Sequence, residues 1–432
     1  MLKALLTMPA RQISWKTVVL VQLLMVVAFA VAITVDARAV TDAVAQRLHG
    51  EKPFKPVPIP REQPLVVEPL YDRPDFVSDE DLAAVLRQVR PQFDREQMKP
   101  NYVEHALRAW GVRAEFANPE IPSGEELALF LTDHARFTDS WGKKVRPLLI
   151  ERPHGIAVRW GTEAGGSVHH DHWLASLTEA GITRDTPVFG PSRRDMTIGD
   201  VVQESLRDFR LDERETEWTA MAFGLWIPPA RSWTGGDGRQ YSFDLIARRL
   251  MRGHKEKGVC SGTHRVYSLM LLIRLDEEFD ILSDGMHAEA YGYLEDVRDA
   301  IIAAQFEDGH WPSNWPEGAA AVEEPIDDPV YRQVIATGHH LEWLAIAPRD
   351  LHPPDEQIRR AAEWVIRTTV DQPVDDILAR YTFYSHVGNA LALWRKTHPA
   401  DFWSKWVERH PEAAASGFAE ADEEPSVADE GR

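Results

Sequence analysis

The sequence predicts an all-α chain: an α/α toroid of about five to six helical hairpins behind an N-terminal transmembrane helix. Three observations predict it. Segments with helical spacing of apolar residues fill most of positions 79–409. They alternate between stretches apolar throughout and stretches charged on one face. One long apolar run stands near the N-terminus.

That run, Thr17 to Val35, is broken only by Gln22 and Thr34. Its 19 residues span about 28 Å at 1.5 Å each, close to one bilayer core. Lys3, Arg11 and Lys16 precede it without an acidic neighbour, so residues 1–16 are expected on the cytoplasmic side and everything after the run outside it. Ala37-Arg38-Ala39 resembles a cleavage site, but the run is longer than a signal-peptide core. An uncleaved, single-pass signal-anchor over 17–35 is the expectation, with a periplasmic or cell-surface domain behind it. Residues 36–76 read as a linker, stiffened by Pro53, Pro56, Pro58, Pro60, Pro64, Pro69 and Pro74. The folded domain is placed at 77–410. The acidic, Ala-rich stretch 411–432 is expected to be disordered.

Ser78 with Asp81, and Ser123 with Glu126, fit capping boxes before apolar-periodic runs. Helices are expected over 79–91, 100–110, 123–137, 168–180, 196–209, 213–227, 240–252, 260–275, 286–305, 330–346, 355–370, 376–395 and 400–409. Residues 155–161 are the strand candidate. The segments at 213–227, 260–275, 330–346 and 376–395 are apolar through much of their length and belong inside. Those at 240–252, 286–305 and 355–370 carry charge on one face and belong outside. Alternation of this kind implies inner and outer rings, with parallel inner helices whose N-termini meet at one mouth.

Four expected helix starts carry histidine: Ser167-Val168-His169-His170-Asp171-His172, Ser261-Gly262-Thr263-His264, Thr337-Gly338-His339-His340 and Tyr384-Ser385-His386. Free N–H groups and the positive dipole end would surround them. The catalytic candidates are His170, His172, Glu217, His264, His340 and His386, acting as acids, bases or ligands. Candidate metal ligands are His169, Asp171, His172 and Cys260, for a divalent transition metal, since imidazole suits zinc, copper, nickel or iron. Cys260, the single cysteine, permits no intrachain disulfide. A thiol just before a helix start is expected to have a lowered pKa. His340 is expected to point into the mouth, with Glu342 orienting it or acting as acid or base. Glu215 or Glu217, at the start of 213–227, would add a carboxylate to the same mouth.

Gln305-Phe306-Glu307-Asp308-Gly309-His310-Trp311 resembles the glutamine–tryptophan turn motif of the terpenoid-cyclase and protein-prenyltransferase α/α toroids. The resemblance implies that architecture, with the motif tying an outer helix to the next turn. Asp308 and Trp311 are candidate substrate-binding residues at the rim, together with Glu342. The acidic signatures of isoprenoid chemistry are absent: Asp327-Asp328 and Asp375-Asp376 stand as bare pairs, and Gly258 occupies the position two before Cys260. Gly338-His339-x-x-Glu342-Trp343 resembles a piece of the N-acylglucosamine epimerase type of α/α barrel, which implies sugar chemistry by inner-helix His and Glu.

The net charge is −20, from 68 acidic and 48 basic residues. A surface of that sign argues against nucleic-acid partners. Fifteen tryptophans offer surfaces for stacking on sugars. The expectation is therefore a membrane-anchored, extracytoplasmic enzyme acting on a glycan or related polymer through a His/carboxylate pocket. The alternatives are a noncatalytic cell-envelope scaffold and an isoprenoid- or lipid-modifying enzyme. An enzyme predicts that the four histidine segments converge; a scaffold lets them scatter; a lipid enzyme needs a deep apolar cavity.

Overall fold

The computed structural model describes residues 14–34, 54–213, 215–252 and 259–415. The chain divides into two compact units, one up to Phe54 and one from Lys55 onward. In the first, α1 (Trp15–Thr34) is a single continuous helix. Its side chains are described as far as Ala28, and among the described residues no helix is long and apolar enough to cross a membrane. Val35, the cleavage-like Ala37-Arg38-Ala39 and the acidic end 416–432 lie outside the described residues.

The second unit is helical: α2 (Asp79–Gln88), α3 (Pro100–Trp110), α4 (Gly124–Thr132), α5 (His134–Trp141), α6 (His172–Glu179), α7 (Ile198–Asp208), α8 (Glu217–Trp226), α9 (Phe243–Arg252), α10 (Thr263–Phe279), α11 (Asp284–Ala304), α12 (Val330–Ile346), α13 (Asp355–Val370), α14 (Tyr381–Trp394) and α15 (Pro399–Arg409). Small antiparallel hairpins join some of them, including β1 (Leu149–Glu151) with β2 (Ile156–Val158), where the sequence predicts a strand.

Local chemistry sets the boundaries. Ser78 accepts the Asp81 N–H at the start of α2, and Ser123 and Glu126 form a full capping box on α4. The expected helix 123–137 is broken at Asp133, whose side chain accepts the Ala135 N–H and starts α5. The expected helix 376–395 is likewise broken at Arg380, between a short helix (Val374–Ala379) and α14.

Six helices form a closed cycle of neighbours: α3, α6, α8, α10, α12 and α14, which returns to α3. These are the buried helices. Every residue of α8 is buried, as are Val103–Trp110 of α3 and Val334–Ile346 of α12. The helices between them in sequence show one-sided burial. In α9 the buried residues are Phe243, Ile246, Ala247 and Leu250, and in α13 they include Ile358, Ala361, Ala362 and Val365. That spacing of three and four is one helical stripe. The outer helices pack against the cycle: α4 on α3, α7 on α8, α9 and α11 on α10, α13 on α12 and α14, and α2 on α14.

The proline-rich segment departs from the free spacer expected for it. From Lys55 onward it belongs to the helical unit. Its Leu65 N–H donates to Leu225 O (2.9 Å), Leu70 N–H to Ala345 O (3.0 Å) and Arg73 N–H to Trp394 O (2.8 Å). Those carbonyls lie at the C-terminal ends of α8, α12 and α14, where no intrahelical donor remains. One strap therefore crosses three inner helices at the same end, which makes them parallel. Proline suits this role, because it keeps the strap extended and withholds only donors that the strap does not use.

Candidate metal centre

One aromatic ring from each helix of the cycle meets at the centre. In order they are His105 (α3), His172 (α6), Trp218 (α8), His264 (α10), His339 (α12) and His386 (α14). Successive centroids are 4.6, 4.2, 4.1, 4.2 and 3.8 Å apart, and His386 returns to His105 at 5.1 Å. All six are buried. Burial disfavours the imidazolium form, and each ring also feels the others. His105, His172, His264 and His386 are accordingly held well below the ordinary histidine pKa. His339 is lowered too, by burial working against the nearby Glu342. Beside the Trp218 indole the ring thus holds five neutral imidazoles, the form that ligates metals.

A charged layer lies one turn further along. Arg108, Tyr267, Glu342 and Asn389 each follow a ring histidine by three residues, which places them on the same helix faces. Arg108 Nε donates to Glu179 Oε2 (2.6 Å), and its Nη1 donates to Glu342 Oε1 (3.1 Å). Tyr267 donates to Glu179 Oε1 (2.9 Å), and Asn389 Nδ2 to Glu342 Oε1 (2.8 Å). Glu342 Oε2 accepts from His339 Nδ1 (2.6 Å). Burial works against both charges. Glu179 and Glu342 nevertheless hold the Arg108 guanidinium above its usual pKa, and Arg108, with His386 and His339, holds the Glu342 carboxyl well below the usual range.

Two groups of donors come within reach of one ion. The ligand atoms of Cys260, His264 and His339 lie within 4.8 Å of one another, and so do those of His339, Glu342 and His386. The first set has the free valences. Both ring nitrogens of His264 and the Nε2 of His339 are buried without a hydrogen-bond partner. In the second set both Glu342 oxygens are already engaged, and the Arg108 cation sits beside them, which opposes another positive charge. The donor set favoured by this geometry is Cys260, His264 and His339. Glu342 orients His339 from behind, as carboxylates do for metal-ligating histidines.

Cys260 departs from expectation in one respect. Burial, together with Glu342, pushes its thiol pKa up, not down. The helix start is Thr263, three residues later, so the dipole does not offset desolvation. Cys260, Ser261 and Gly262 all adopt positive φ (48°, 61° and 79°). Thr263 Oγ1 donates to the Cys260 carbonyl (2.6 Å) and Trp315 Nε1 to that of Ser261 (2.9 Å), which pins the segment over His264.

The His169-to-His172 cluster is divided. Only His172 is helical, and only His172 and His264 stand at helix starts; His339, His340 and His386 lie well inside α12 and α14. The shared mouth of four N-termini is therefore replaced by histidines at matched depths of the cycle. His172 Nδ1 lies 2.5 Å from Glu104 Oε2. Burial pushes the Glu104 pKa up to about 8. His169 sits at the rim, stacked over Trp218 (6.0 Å), with its Nδ1 2.5 Å from Glu215. His170 pairs with Glu213 (2.8 Å) and Asp171 (3.3 Å), and these raise its pKa well above the ordinary value despite burial. Asp171 acts as a structural tie. It takes φ 56° and accepts from Ser205 (2.8 Å) and Thr219 (2.7 Å), joining the start of α6 to α7 and α8.

Other candidates also fall away from the ring. His340 points into a cage of Trp311 and Trp315 and accepts from Trp343 Nε1 (3.0 Å); burial takes its pKa down to about 3. Glu217 is the first residue of α8, where its carboxylate accepts the Thr216 N–H. Asp308 and Trp311 belong to the turn after α11. Asp308 holds His310 (2.6 Å) and Trp364 (3.1 Å), and Trp311 donates to Ile301 O (2.8 Å). The sequence reading did not single out Glu104, His105, Arg108, Glu179, Trp218 or Tyr267. For α3 the signal was present: Glu104, His105 and Arg108 interrupt an otherwise apolar helical stretch.

No family model matches the chain, and neither a curated protein nor a solved structure does so.

Proposed function

We propose that the chain is a metalloenzyme: an α/α toroid that holds one divalent transition ion, zinc first, on Cys260, His264 and His339. The observation that carries this is the set of unpartnered buried nitrogens, both of His264 and the Nε2 of His339, with a thiol among donors that all lie within 4.8 Å of one another. A buried polar atom left without a partner costs about 1–3 kcal/mol. A cluster of them is explained by a ligand that satisfies several at once. Nitrogen and thiolate donors suit zinc, and three protein ligands are the number found where zinc is catalytic. Such an ion supplies a Lewis acid and an activated water. Glu342 fixes the His339 tautomer, and the neutral ring keeps protons off the donors.

The toroid reading is supported by the closed cycle of six buried helices and by the turn at Gln305 to Trp311. The enzyme reading is supported by convergence of His172, His264, His339 and His386, which a scaffold does not require. The polar axis gives no support to an isoprenoid pocket. The substrate proposed is the end of an extracytoplasmic glycan or related polymer, presented to a chain anchored through its N-terminal apolar run. Exposed Trp160, edge-on to His170 (5.5 Å), and His169 with Glu215 offer it an approach. Most tryptophans are core residues, so Trp160 carries the stacking argument.

The test is elemental analysis of the full chain, purified in detergent without a histidine tag or chelator. One equivalent of a transition metal is expected, and it should vanish when His264 and His339 are both alanine while helical circular dichroism persists. Metal-free wild-type protein overturns the reading.

A further inference from the structure

The five ring histidines are not equivalent, and hydrogen-bond chemistry separates them. His105 Nδ1 lies 2.7 Å from the Asn101 carbonyl, which can only accept. His339 Nδ1 lies 2.6 Å from the Glu342 carboxylate. Both rings therefore carry the proton on Nδ1 and present a lone pair at Nε2. His386 is different. Its Nδ1 lies 2.6 Å from Arg108 Nη1. A guanidinium has five donors and no acceptor, so this contact requires the lone pair at Nδ1. The Glu342 oxygen is further from the same nitrogen, at 3.2 Å, and Arg108 bridges the two. The His386 proton must then sit on Nε2, which is buried without a partner beside the rings of His105, His264 and His339.

We infer that His386 is a hydrogen-bond donor to the substrate and not a metal ligand, and that Arg108 is the residue that positions it by fixing its tautomer. The inference rests on the metal reading only for the word ligand. Within the ring His339 offers an electron pair and His386 offers an N–H. The group it recognises is an oxygen acceptor, of the kind a carboxylate or a sugar carbonyl presents. Arg108 is itself locked by Glu179 and Glu342, so it cannot turn away and release His386 to the other tautomer.

The tautomers are read directly by nitrogen NMR of full-length protein labelled only in histidine. His340, which accepts at Nδ1 from Trp343, and His352, which faces two carbonyls through Nε2, are expected to show Nε2 protons. One further buried Nε2–H is expected, assigned to His386 by its loss in His386→Phe. In Arg108→Met that ring should switch to the Nδ1 proton, now donated to Glu342. The Nε2–H signal should shift as acetate is added to the wild type. Metal content should fall in His264→Ala but stay at the wild-type level in His386→Phe and in His386→Gln. An Nδ1 proton on His386 in the wild type overturns the proposal, as does an Nε2–H signal that acetate leaves unmoved. Loss of metal from folded His386→Gln overturns it as well, by making His386 a ligand. Wild-type protein that binds no metal but shows the Nε2 proton and the acetate response would overturn the metal reading alone.

Discussion

Arg108 and Glu342 show at the scale of single residues why the centre is held so firmly. Both are almost wholly buried; Arg108 is the cation paired with Glu342, at 3.1 Å, and it also holds Glu179 at 2.6 Å. Removing one member of such a pair leaves the other uncompensated, which costs about 3–5 kcal/mol, whereas removing both costs less. Arg108→Met, which strands the Glu342 carboxylate, should therefore lower stability by roughly that amount in urea denaturation. Arg108→Met with Glu342→Leu should cost at least about 2 kcal/mol less than the sum of the two single changes. Simple additivity would mean that the pair is not coupled. Residue type in the sequence pointed at Glu342 and at four of the segments, but not at which histidine of each pair faces inward. His339 and His340 are adjacent and differ by about 100° around α12. Only the packing of Trp311 and Trp315 shows that His340 is the one turned away.

The turn after α11 shows what a sequence motif can fix for a whole element. Gln305 Nε2 donates to Gly309 O (2.9 Å) and to Gln357 O (2.7 Å), and its Oε1 accepts from Arg360 (2.9 Å). It ties the end of α11 both to its own turn and to α13, as the motif implies. Gly309 has φ 107°, and a Cβ there would lie 2.3 Å from the Arg360 carbonyl. Gly309→Ala should cost about 2 kcal/mol or more, through strain and backbone displacement. A thermal midpoint within a degree of wild type would show that the turn yields freely. The same turn engages Asp308 with His310 and Trp364, and Trp311 with the Ile301 carbonyl. Helix existence was also legible, since most expected segments are helices. Their starts were not. Asp133 and Arg380 interrupt helical patterns through caps and local geometry that periodicity does not register. The strap was hidden for a related reason: proline density signals an extended chain but not the three helix ends on which it lies.

Across the whole molecule, the central choice is to bury neutral histidines. The alternation of apolar and amphipathic segments announced buried helices; the closed cycle depends on contacts such as α14 with α3 that no local pattern carries. Closing it removes six rings from water together, so protonation becomes a global matter. For His352, packed outside the ring against the Leu344 and Ala347 carbonyls, burial lowers the pKa to about 4, and His340 is held at about 3. A histidine depressed in the folded state resists a proton that the unfolded chain accepts below about pH 6.5. Its full contribution is present above that value and falls as pH drops toward the folded pKa. For His352 alone the loss is roughly 3 kcal/mol. Glu104, raised to about 8, works in the opposite sense: its contribution is complete below about pH 4.5 and declines as pH rises through about 8. Glu204 and Glu217 are raised by burial as well, but the lowered imidazoles outnumber these three carboxyls, so the histidines dominate. Stability of the metal-free protein should drop steeply between pH 6.5 and 4. A bound ion should move the same curve upward by mass action near neutrality, by about 2.7 kcal/mol at a hundredfold excess over its dissociation constant. That margin should disappear as protons displace it. Thermal unfolding measured from pH 8 to pH 4, with zinc and with chelator, reads both effects. Two curves that coincide at pH 7.5 would remove the metal from the fold's energetics. A chelated curve that stays level down to pH 4.5 would mean that the ring histidines take up protons without unfolding the chain, and that water rather than packing surrounds them.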